Sequence, residues 1–561
     1  MNLKKYILIG AAVLGLGMTS CVGDLDLKPN DPNLVNTDDP NFKENSLAMC
    51  YSGIAVSGIN GPGSSYVADL DPGTSAYLRL IFTLQEFCTD ECIWIWPDAG
   101  VVDITSCSWS ASNTLLQGMY YRLMGHIAIC NQYLANTKDD TDEKSVEMRA
   151  EARTLRAYSY YNMIDLFGQS SFITEEAAAG EDPAQKSRKE MFEWIESELK
   201  DIVDNKLISE NPVYGRVGLD GAEALLARLY LNGEVFTGEN KYWAECQKRC
   251  ENIIARHKGG GYKGSGLANH WLYLFSSGNP DYMPGGANKA ENEILFGIAF
   301  DAVQTQSYGG PTFILASTIT NSHYIPRQLY GCSGEWSCLR GCLQMAERFP
   351  GEPLGNSDVR DDLWLKGVKP AGSDADGSWD AEDYSDKFIE FSGDWKTTGG
   401  NAIIKFTNRY PNASKDGGWD MDKTIANASP FSSTDMPIIR LADVYLMYAE
   451  SYINGNVGDR TKALEYMNLV RGRANAEEIG YAQLTRTNLM NERSREFYLE
   501  GTRRSDLVRN EMFAGPTQTV WQFKGNINNP EGTRIHQRNN LYPIPTAVLS
   551  AQPDFQQNPG Y

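Results

Sequence analysis

The sequence predicts a mainly α fold in which tetratricopeptide-like helical hairpins scaffold a loop-rich, mixed α/β face. The first observation is periodicity. From about Leu115, apolar residues recur three and four apart through NTLLQGMYYRLMGHIAICNQYL, EMRAEARTLRAYSYYNMIDLFG, SRKEMFEWIESELKDIV, LDGAEALLARLYLNGEVF and the segment around Trp243 to Ile254, as in helices with one buried stripe. The second is repetition. Ala157 and Tyr160 recur as Ala227 and Tyr230 about 70 residues later, roughly twice the ~34-residue period of a helical-hairpin repeat, and small residues there let neighbouring helices approach. The same spacing returns at Ala449 and Tyr452 within MPIIRLADVYLMYAESYING, and helical periodicity continues through TKALEYMNLVRGRA and a helix from Leu484 to about Arg509. The third is an interruption. Between roughly Gly259 and Pro430 the chain turns rich in Gly, Asn, Asp and Trp; GGGYKGSG, SSGNPDYMPGGANKAENE and PAGSDADGSWDAEDYSDK are loop signals, and ENEILFGIAF between them reads as a strand.

Taken from the start, Lys4 and Lys5 precede an apolar stretch from Tyr6 to Leu16 and then Met18-Thr19-Ser20-Cys21. This is the pattern of a signal peptide, residues 1–20, with an apolar core too short for a ~20-residue membrane span. Small residues directly before a cysteine resemble a bacterial lipobox, so Cys21 is the expected lipidated first residue and the lipid the expected membrane attachment. The polar VGDLDLKPNDPNLVN that follows reads as a tether. From 21 to 561 the chain reads as one domain. Its scaffold occupies about 113–258 and 436–510, and its loop-rich face about 259–435 together with the non-helical stretch 40–112.

The 561 residues carry a formal charge of −21, a surface that repels phosphate backbones, so nucleic acid is not an expected partner. Arg503, Arg504 and Arg509 are interleaved with Glu500 and Asp506, as on a salt-bridged helix. Beyond Cys21, the remaining cysteines are too dilute for a disulfide scaffold. Cys88/Cys92, Cys246/Cys250 and Cys332, Cys338 and Cys342 lack the two-residue gap and the histidines of a zinc site.

Ahead of the helices, LDPGTSAYLRLIFTLQEFCTDECIWIW, Leu70 to Trp96, is the stretch where a ligand is expected. Ile93, Trp94, Ile95 and Trp96 alternate, which places the two indoles on one side of a strand and the two isoleucines on the other. Rigid indole faces near a surface suit stacking on a sugar ring or a base, and burial of both in a core is the alternative. Asp71 and Arg79 stand nearby to supply hydrogen bonds. Across the loop-rich region Trp271, Tyr308, Trp336, Trp364 and Trp395 mark a long insertion with a role, since long loops in compact proteins are often functional.

At ERSREFYLEGTRRSDLVR, residues 492–509, the chain resembles the SusD/RagB family, lipoprotein partners of SusC-like TonB-dependent transporters in Bacteroidetes. Leu541-Tyr-Pro-Ile-Pro, the terminal Gln557-Asn-Pro-Gly-Tyr and Thr89-Asp90-Glu91 are similar to family motifs in the same order. TDECIWIW, TSCSWS, QSYGGPTFIL, GEWSC and the late MFAG and Trp521-Gln-Phe-Lys-Gly resemble the starch-binding side of the family. That resemblance implies a lipid-anchored protein on the outer face of the outer membrane. It implies capture of α-glucan by an arc of Trp96, Tyr308 and Trp336, with Asp71 and Arg79 on sugar hydroxyls. Ala99 departs from the pattern, which has asparagine there, and Asp98 is the neighbouring substitute. No cofactor is required. A structural calcium ion is implied at Asn279, Asp281 and Asp435, whose oxygens suit a hard cation. Arg495, Glu496, Glu500, Arg504 and Asp506 read as structural signatures, because charges three and four apart on a helix form paired networks.

The function expected is therefore non-catalytic delivery of starch or malto-oligosaccharides to a TonB-dependent transporter. A carrier for a different glycan or for peptides is the alternative within the family. A glycoside hydrolase would need two carboxylates across a cleft, which sequence does not establish, and neither GxSxG nor HExxH is present.

Overall fold

The periodic segments form helices that bury their apolar stripes against one another. The computed structural model describes residues 39–178, 180–277, 292–318, 331–334, 336, 338–349, 358, 360, 405–411, 419–420, 429–521, 523–525, 529 and 531–561. The helices are α1 (Phe42–Ala55), α2 (Tyr77–Glu86), α3 (Val101–Thr105), α4 (Thr114–Asn136), α5 (Glu143–Leu166), α6 (Arg188–Asp204), α7 (Leu219–Leu231), α8 (Gly233–Thr237), α9 (Trp243–Arg256), α10 (Gly310–Thr318), α11 (Leu343–Ala346), α12 (Leu441–Gly455), α13 (Arg460–Arg473), α14 (Arg486–Phe497), α15 (Arg503–Arg509) and α16 (Thr546–Ala551). Their starts are chemically marked: the Asn113 side chain accepts from the Leu115 and Leu116 N–H groups, Asp142 from Ser145, and Ser187 with Glu190 forms a capping box. The chain divides into two compact units, Met1–Ser46 and Leu47–Tyr561. Of the first, residues 39–46 are described, a turn leading into α1.

Within the second unit, α4 packs on α5, α5 on α6, α6 on α7, α7 on α9, α9 on α12, and α12 on α13 and α14. The two helical stretches thus join directly through α9 and α12, and the loop-rich region is an insertion between adjacent members of one stack. Ala157, Ala227 and Ala449 are fully buried, as close helix approach requires. Tyr160 and Tyr230 are buried, whereas Tyr452 is half-buried. Among the described residues, no helix is long and apolar enough to cross a membrane.

Three expectations are corrected. The stretch 40–112 is not free of helix: it carries α1, α2 and α3. Every residue of α2 but Arg79 is buried, polar Thr83, Gln85 and Glu86 included, although Arg79, Thr83 and Glu86 fall at helical spacing. MPIIR does not belong to the helical scaffold: after β1 (Cys92–Trp94), β2 (Ser170–Phe172), β3 (Ala184–Lys186), β4 (Ile294–Ile298), β5 (Leu339–Gly341), β6 (Tyr410–Pro411) and β7 (Trp419–Asp420), it is strand β8 (Met436–Arg440), pairing antiparallel with β4. Pro437 has no N–H for a helix interior, and Ile438 and Ile439 are β-branched. Finally, Leu484 to Arg509 is not one helix. Leu499 (φ 61°) and Gly501 (φ 74°) separate α14 from α15, and the Gly501 and Thr502 N–H groups donate to Glu86 Oε1 at 2.7 and 3.2 Å.

The late motif is structural, as its charge spacing suggested. Glu496 is ion-paired with Arg440 (3.0 Å), Arg360 (3.1 Å) and Arg473, and Glu293 accepts from Arg440 at 2.6 Å and Arg473 at 2.8 Å. Arg503 pairs with Asp90 of the TDE motif at 2.8 Å, and Arg493 bridges Asp443 (2.8 Å) and Asp506 (2.7 Å). Burial alone would raise the Glu496 carboxyl, but Arg473, Arg440 and Arg360 outweigh it and hold the pKa at about 2. The buried His126 works in the same direction, since burial pushes its pKa down to about 4. Both folded pKa values lie below the unfolded ones, so their stabilisation is complete above about pH 6.5 and is lost on acidification, first through His126 and then through the carboxylates below about pH 4.3. Glu86, Glu91 and Glu151 run the opposite way, each raised first by burial. Depressed Asp90, Asp220, Asp443, Asp506, Glu198, Glu492 and Glu496 outnumber them, so urea midpoints are expected to fall from pH 7 to pH 4 and further toward pH 3.

Candidate functional site

One strand pairing assembles the site. Strand β1 (Cys92–Trp94) lies antiparallel to β5 (Leu339–Gly341), with Trp94 opposite Leu339, and the pairing runs on as the Ile95 N–H donates to the Cys338 carbonyl at 2.9 Å. The chain before β5 lies along α10: the Trp336 N–H donates to the Ala316 carbonyl at 2.7 Å and that of Cys338 to Ser317 at 2.9 Å. Trp96 and Trp336 are thereby carried by neighbouring segments. Tyr308 stands just before α10, where Gly309 lies so close to Ala76 that a side chain would collide with it.

The four alternating residues do not separate as a strand would separate them. Ile93, Trp94 and Ile95 are all buried, and the regular strand ends at Trp94, so the side chain leaving the core is that of Trp96, ahead of Pro97. Trp94 is 3% exposed and Trp96 36%. Trp94 stacks on Phe87 at 5.2 Å and on Phe313 at 5.6 Å, and its Nε1 donates to Asp98 Oδ2 at 2.9 Å. Trp96 rests edge-on against Trp94 at 6.1 Å and 74°. From Phe313 the rings continue to Trp336 (6.1 Å), Tyr308 (6.2 Å from Trp336) and Phe431 (5.0 Å from Tyr308). Tyr308 and Trp336 are half-buried, and Trp336 packs on the core by one side. The result is a line of outer rings on an aromatic floor.

The polar members meet this line at Tyr308. A Cβ added at Gly73 would lie 2.7 Å from Tyr308 Cβ, 3.3 Å from Asp71 Oδ1 and 3.4 Å from an Arg79 guanidinium nitrogen. Asp71 is exposed and its Oδ1 accepts from the Thr74 N–H (3.0 Å) and hydroxyl (3.3 Å), which fixes the turn before α2. The Arg79 guanidinium sits 4.4 Å from the Phe313 ring centre and 5.4 Å from that of Trp336. Burial lowers its pKa to about 10, with Asp71, Cys338 and Asp98 pulling back, so it is a cation at neutral pH. Gly73→Ala is expected to cost about 1–3 kcal/mol through overpacking against Tyr308, read as a lower urea midpoint.

Comparison with known proteins gives the chain a family. The family model described as the SusD family matches residues 363–561. The chain is 32% identical over 98% of its length to the starch-binding protein SusD of Bacteroides thetaiotaomicron, covering 97% of that protein. The chain belongs to the SusD family. A SusD-like protein of Bacteroides ovatus is 24% identical over 74% of the chain and 68% of its own length. The fold is shared with a SusD superfamily protein from Parabacteroides distasonis (TM-score 0.66, 18% identity, 92% of this chain and 99% of that one). Surface glycan-binding protein A from Bacteroides fluxus has the same fold (TM-score 0.64, 18% identity, 93% and 99%).

Within this SusD-family chain, Asp71, Arg79, Tyr308 and Trp336 form one neighbourhood, and Trp96 joins it through Trp94 and Phe313. Phe313 and Phe431 escaped sequence reasoning, because a phenylalanine in PTFIL or SPFSS carries no mark that distinguishes a site floor from ordinary core. The other implied residues fare differently. Asn279 and Asp281 lie outside the described residues, as do Trp364, Trp395 and Cys21. Asp435 is buried, its Oδ1 accepting from the Phe300 N–H at 2.7 Å and its Oδ2 from the Tyr214 hydroxyl at 2.8 Å. Both oxygens of the one described member of the calcium set are thus engaged with protein donors.

Proposed function

We propose that this chain is a non-catalytic, cell-surface glycan-binding protein that captures starch-type α-glucan and passes it to a TonB-dependent transporter. It would be held at the outer membrane by lipid on Cys21. The observation that carries the reading is the exposed Trp96 ring joined through Trp94 and Phe313 to half-buried Trp336 and Tyr308, with Arg79 over Trp336 and Asp71 on the turn against Tyr308. A rigid aromatic floor presents flat faces to pyranose rings at low entropic cost, and hydroxyls are met by a carboxylate and a guanidinium. Affinity for one short oligosaccharide should be modest and rise along a polymer that offers repeated contacts. The relative named for starch binding, similar over nearly the whole chain, supports the choice of cargo.

A second reading keeps the carrier role and changes the glycan, because Ala99 stands where the starch-binding pattern has asparagine and Asp98 is already engaged by Trp94. Native affinity gels test both. Retarded migration in amylopectin, with free migration in β-glucan and fructan, is the expected result. Retardation by a different glycan alone would replace the starch reading with the second one, and release of reducing sugar from starch by the purified protein would overturn the non-catalytic assignment.

A further inference from the structure

We propose that Arg122 is a positioning residue for glycan binding: its guanidinium clamps both ends of the loop that carries Asp71 and so fixes that carboxylate beside Tyr308, an assignment that rests on the glycan-binding reading above. Arg122 lies on α4 and is 2% exposed. Its Nε donates to the Ser75 carbonyl at 2.8 Å, and its Nη2 donates to the Ser57 carbonyl at 2.8 Å and to the Ser75 hydroxyl at 3.1 Å. Ser57 lies just past the end of α1 and Ser75 just before the start of α2, so one planar fork holds the exit of one helix to the entry of the next. The loop between is pinned to those two serines. The Tyr66 N–H donates to the Ser57 carbonyl at 3.0 Å, and the Ser75 N–H donates to the Asp71 carbonyl at 2.9 Å. The Ser75 hydroxyl donates to the Pro72 carbonyl at 2.7 Å and lies 2.6 Å from the Ser65 hydroxyl. A second contact with α4 seats the residue before Asp71. Gly118 is one turn before Arg122 on the same helix face, and a Cβ there would collide with Leu70 Cδ1, so Leu70 fills room that a glycine leaves.

The charge sets Arg122 apart from an ordinary loop anchor. Among the described residues no carboxylate pairs with it, and the ring that covers it is that of Tyr66, centred 5.3 Å from the guanidinium carbon. A buried guanidinium without a carboxylate costs stability relative to an apolar side chain of similar size. Its side-chain hydrogen bonds all go to this one loop, and what they supply is a fixed separation between carbonyls from the loop's two ends. The clamped loop reaches the ligand face. Gly73 lies against Tyr308, and Asp71 Oδ1 accepts from the Thr74 N–H within the same turn. Release of the clamp would therefore shift Asp71 relative to Tyr308 and leave Trp96, which is carried by the β1 segment, where it is.

Isothermal titration tests this with maltoheptaose, or with an oligosaccharide of whichever other glycan retards the parent in the affinity gels. The variants are Arg122→Lys, Asp71→Ala, Trp96→Ala and the two doubles that combine Arg122→Lys with each of the others. Lysine keeps the charge and loses the fork. Arg122→Lys alone should lower affinity about 10-fold, add almost no further loss to Asp71→Ala, and multiply with Trp96→Ala. Hydrogen exchange on the same proteins should quicken in peptides covering 57–75 and stay unchanged in those covering 92–96. An Arg122 that served stability alone would lower the urea midpoint and leave the affinity of the folded protein as it was. Gly118→Ala displaces the same loop through Leu70 and should repeat the pattern, which decides the matter if Arg122→Lys fails to fold. Equal affinity in the parent and both variants overturns the proposal, as do losses that multiply with Asp71→Ala in the way they do with Trp96→Ala. A parent that no glycan retards defeats the glycan-binding reading itself, a result distinct from a binding parent whose loop variants bind equally well.

Discussion

Glu496→Ala is expected to destabilise the protein by about 3–5 kcal/mol, the penalty for removing one partner from a buried ion network. Arg440, Arg473 and Arg360 are essentially inaccessible to water and converge on this one carboxylate. Its removal leaves a buried set in which Arg360, Arg440 and Arg473, with Lys405 on Glu500 and Arg471 and Arg495 on Glu492, outnumber the carboxylates of Glu293, Glu492, Glu500 and Asp358 by six to four. The damage should spread beyond one helix, because Arg440 ends β8, Arg473 ends α13 and Glu496 lies on α14. Glu496→Gln preserves shape and one acceptor oxygen, so it should lose less. Glu210→Ala is the control. Its partner Lys206 is exposed and both residues lie in the loop after α6, so the change should stay within about 1 kcal/mol. Urea midpoints of the three variants check the ordering, and a Glu496→Ala midpoint equal to that of Glu210→Ala would refute the assignment of the network as the centre of stability.

The contrast between that network and the ligand face explains what was legible in the sequence. Helices α4, α5 and α6 announce themselves through apolar periodicity and a marked N-cap, both local properties. The charges of ERSREFYLEG were readable as structural for the same reason, although their partners Arg360, Arg440 and Arg473 were not, since those come from distant segments. Helix α2 carries the same helical spacing at Arg79, Thr83 and Glu86, and what the sequence does not show is that Thr83 and Glu86 are buried with the apolar residues. The site depends most on what sequence does not carry. The β1–β5 pairing joins two stretches far apart in the chain, and until it is known nothing places Trp336 beside Arg79. Alternation over Ile93 to Trp96 predicted one shared side for the two indoles, whereas the strand ends at Trp94 and the core closes around three consecutive residues. What separated the indoles was the position of Pro97, which stops the run one residue after Trp96, and the fit of Trp94 between Phe87 and Phe313.

That separation sets the largest expected effect on binding. Trp96→Ala removes an exposed ring whose neighbour Trp94 remains held by Phe87, Phe313 and Asp98, so thermal stability should barely move while glycan affinity falls by about 2 kcal/mol, near 30-fold. Trp336→Ala should cost comparable affinity and some stability as well, because Arg79 lies over this ring and Tyr308 packs beside it. In the double variant two of the three outer rings of the aromatic line are gone together, and affinity for maltoheptaose or amylopectin should drop by at least about 100-fold. Trp94→Ala provides the opposite signature, a core cavity worth about 3–5 kcal/mol of stability. Asp98→Asn keeps an acceptor for the Trp94 indole N–H and removes a carboxylate near Arg79, so it should leave the fold intact and report through affinity alone whether that charge matters to the ligand. Isothermal titration with melting curves on the same samples separates these outcomes. A double variant that binds as tightly as the parent would place the ligand elsewhere, whatever its stability.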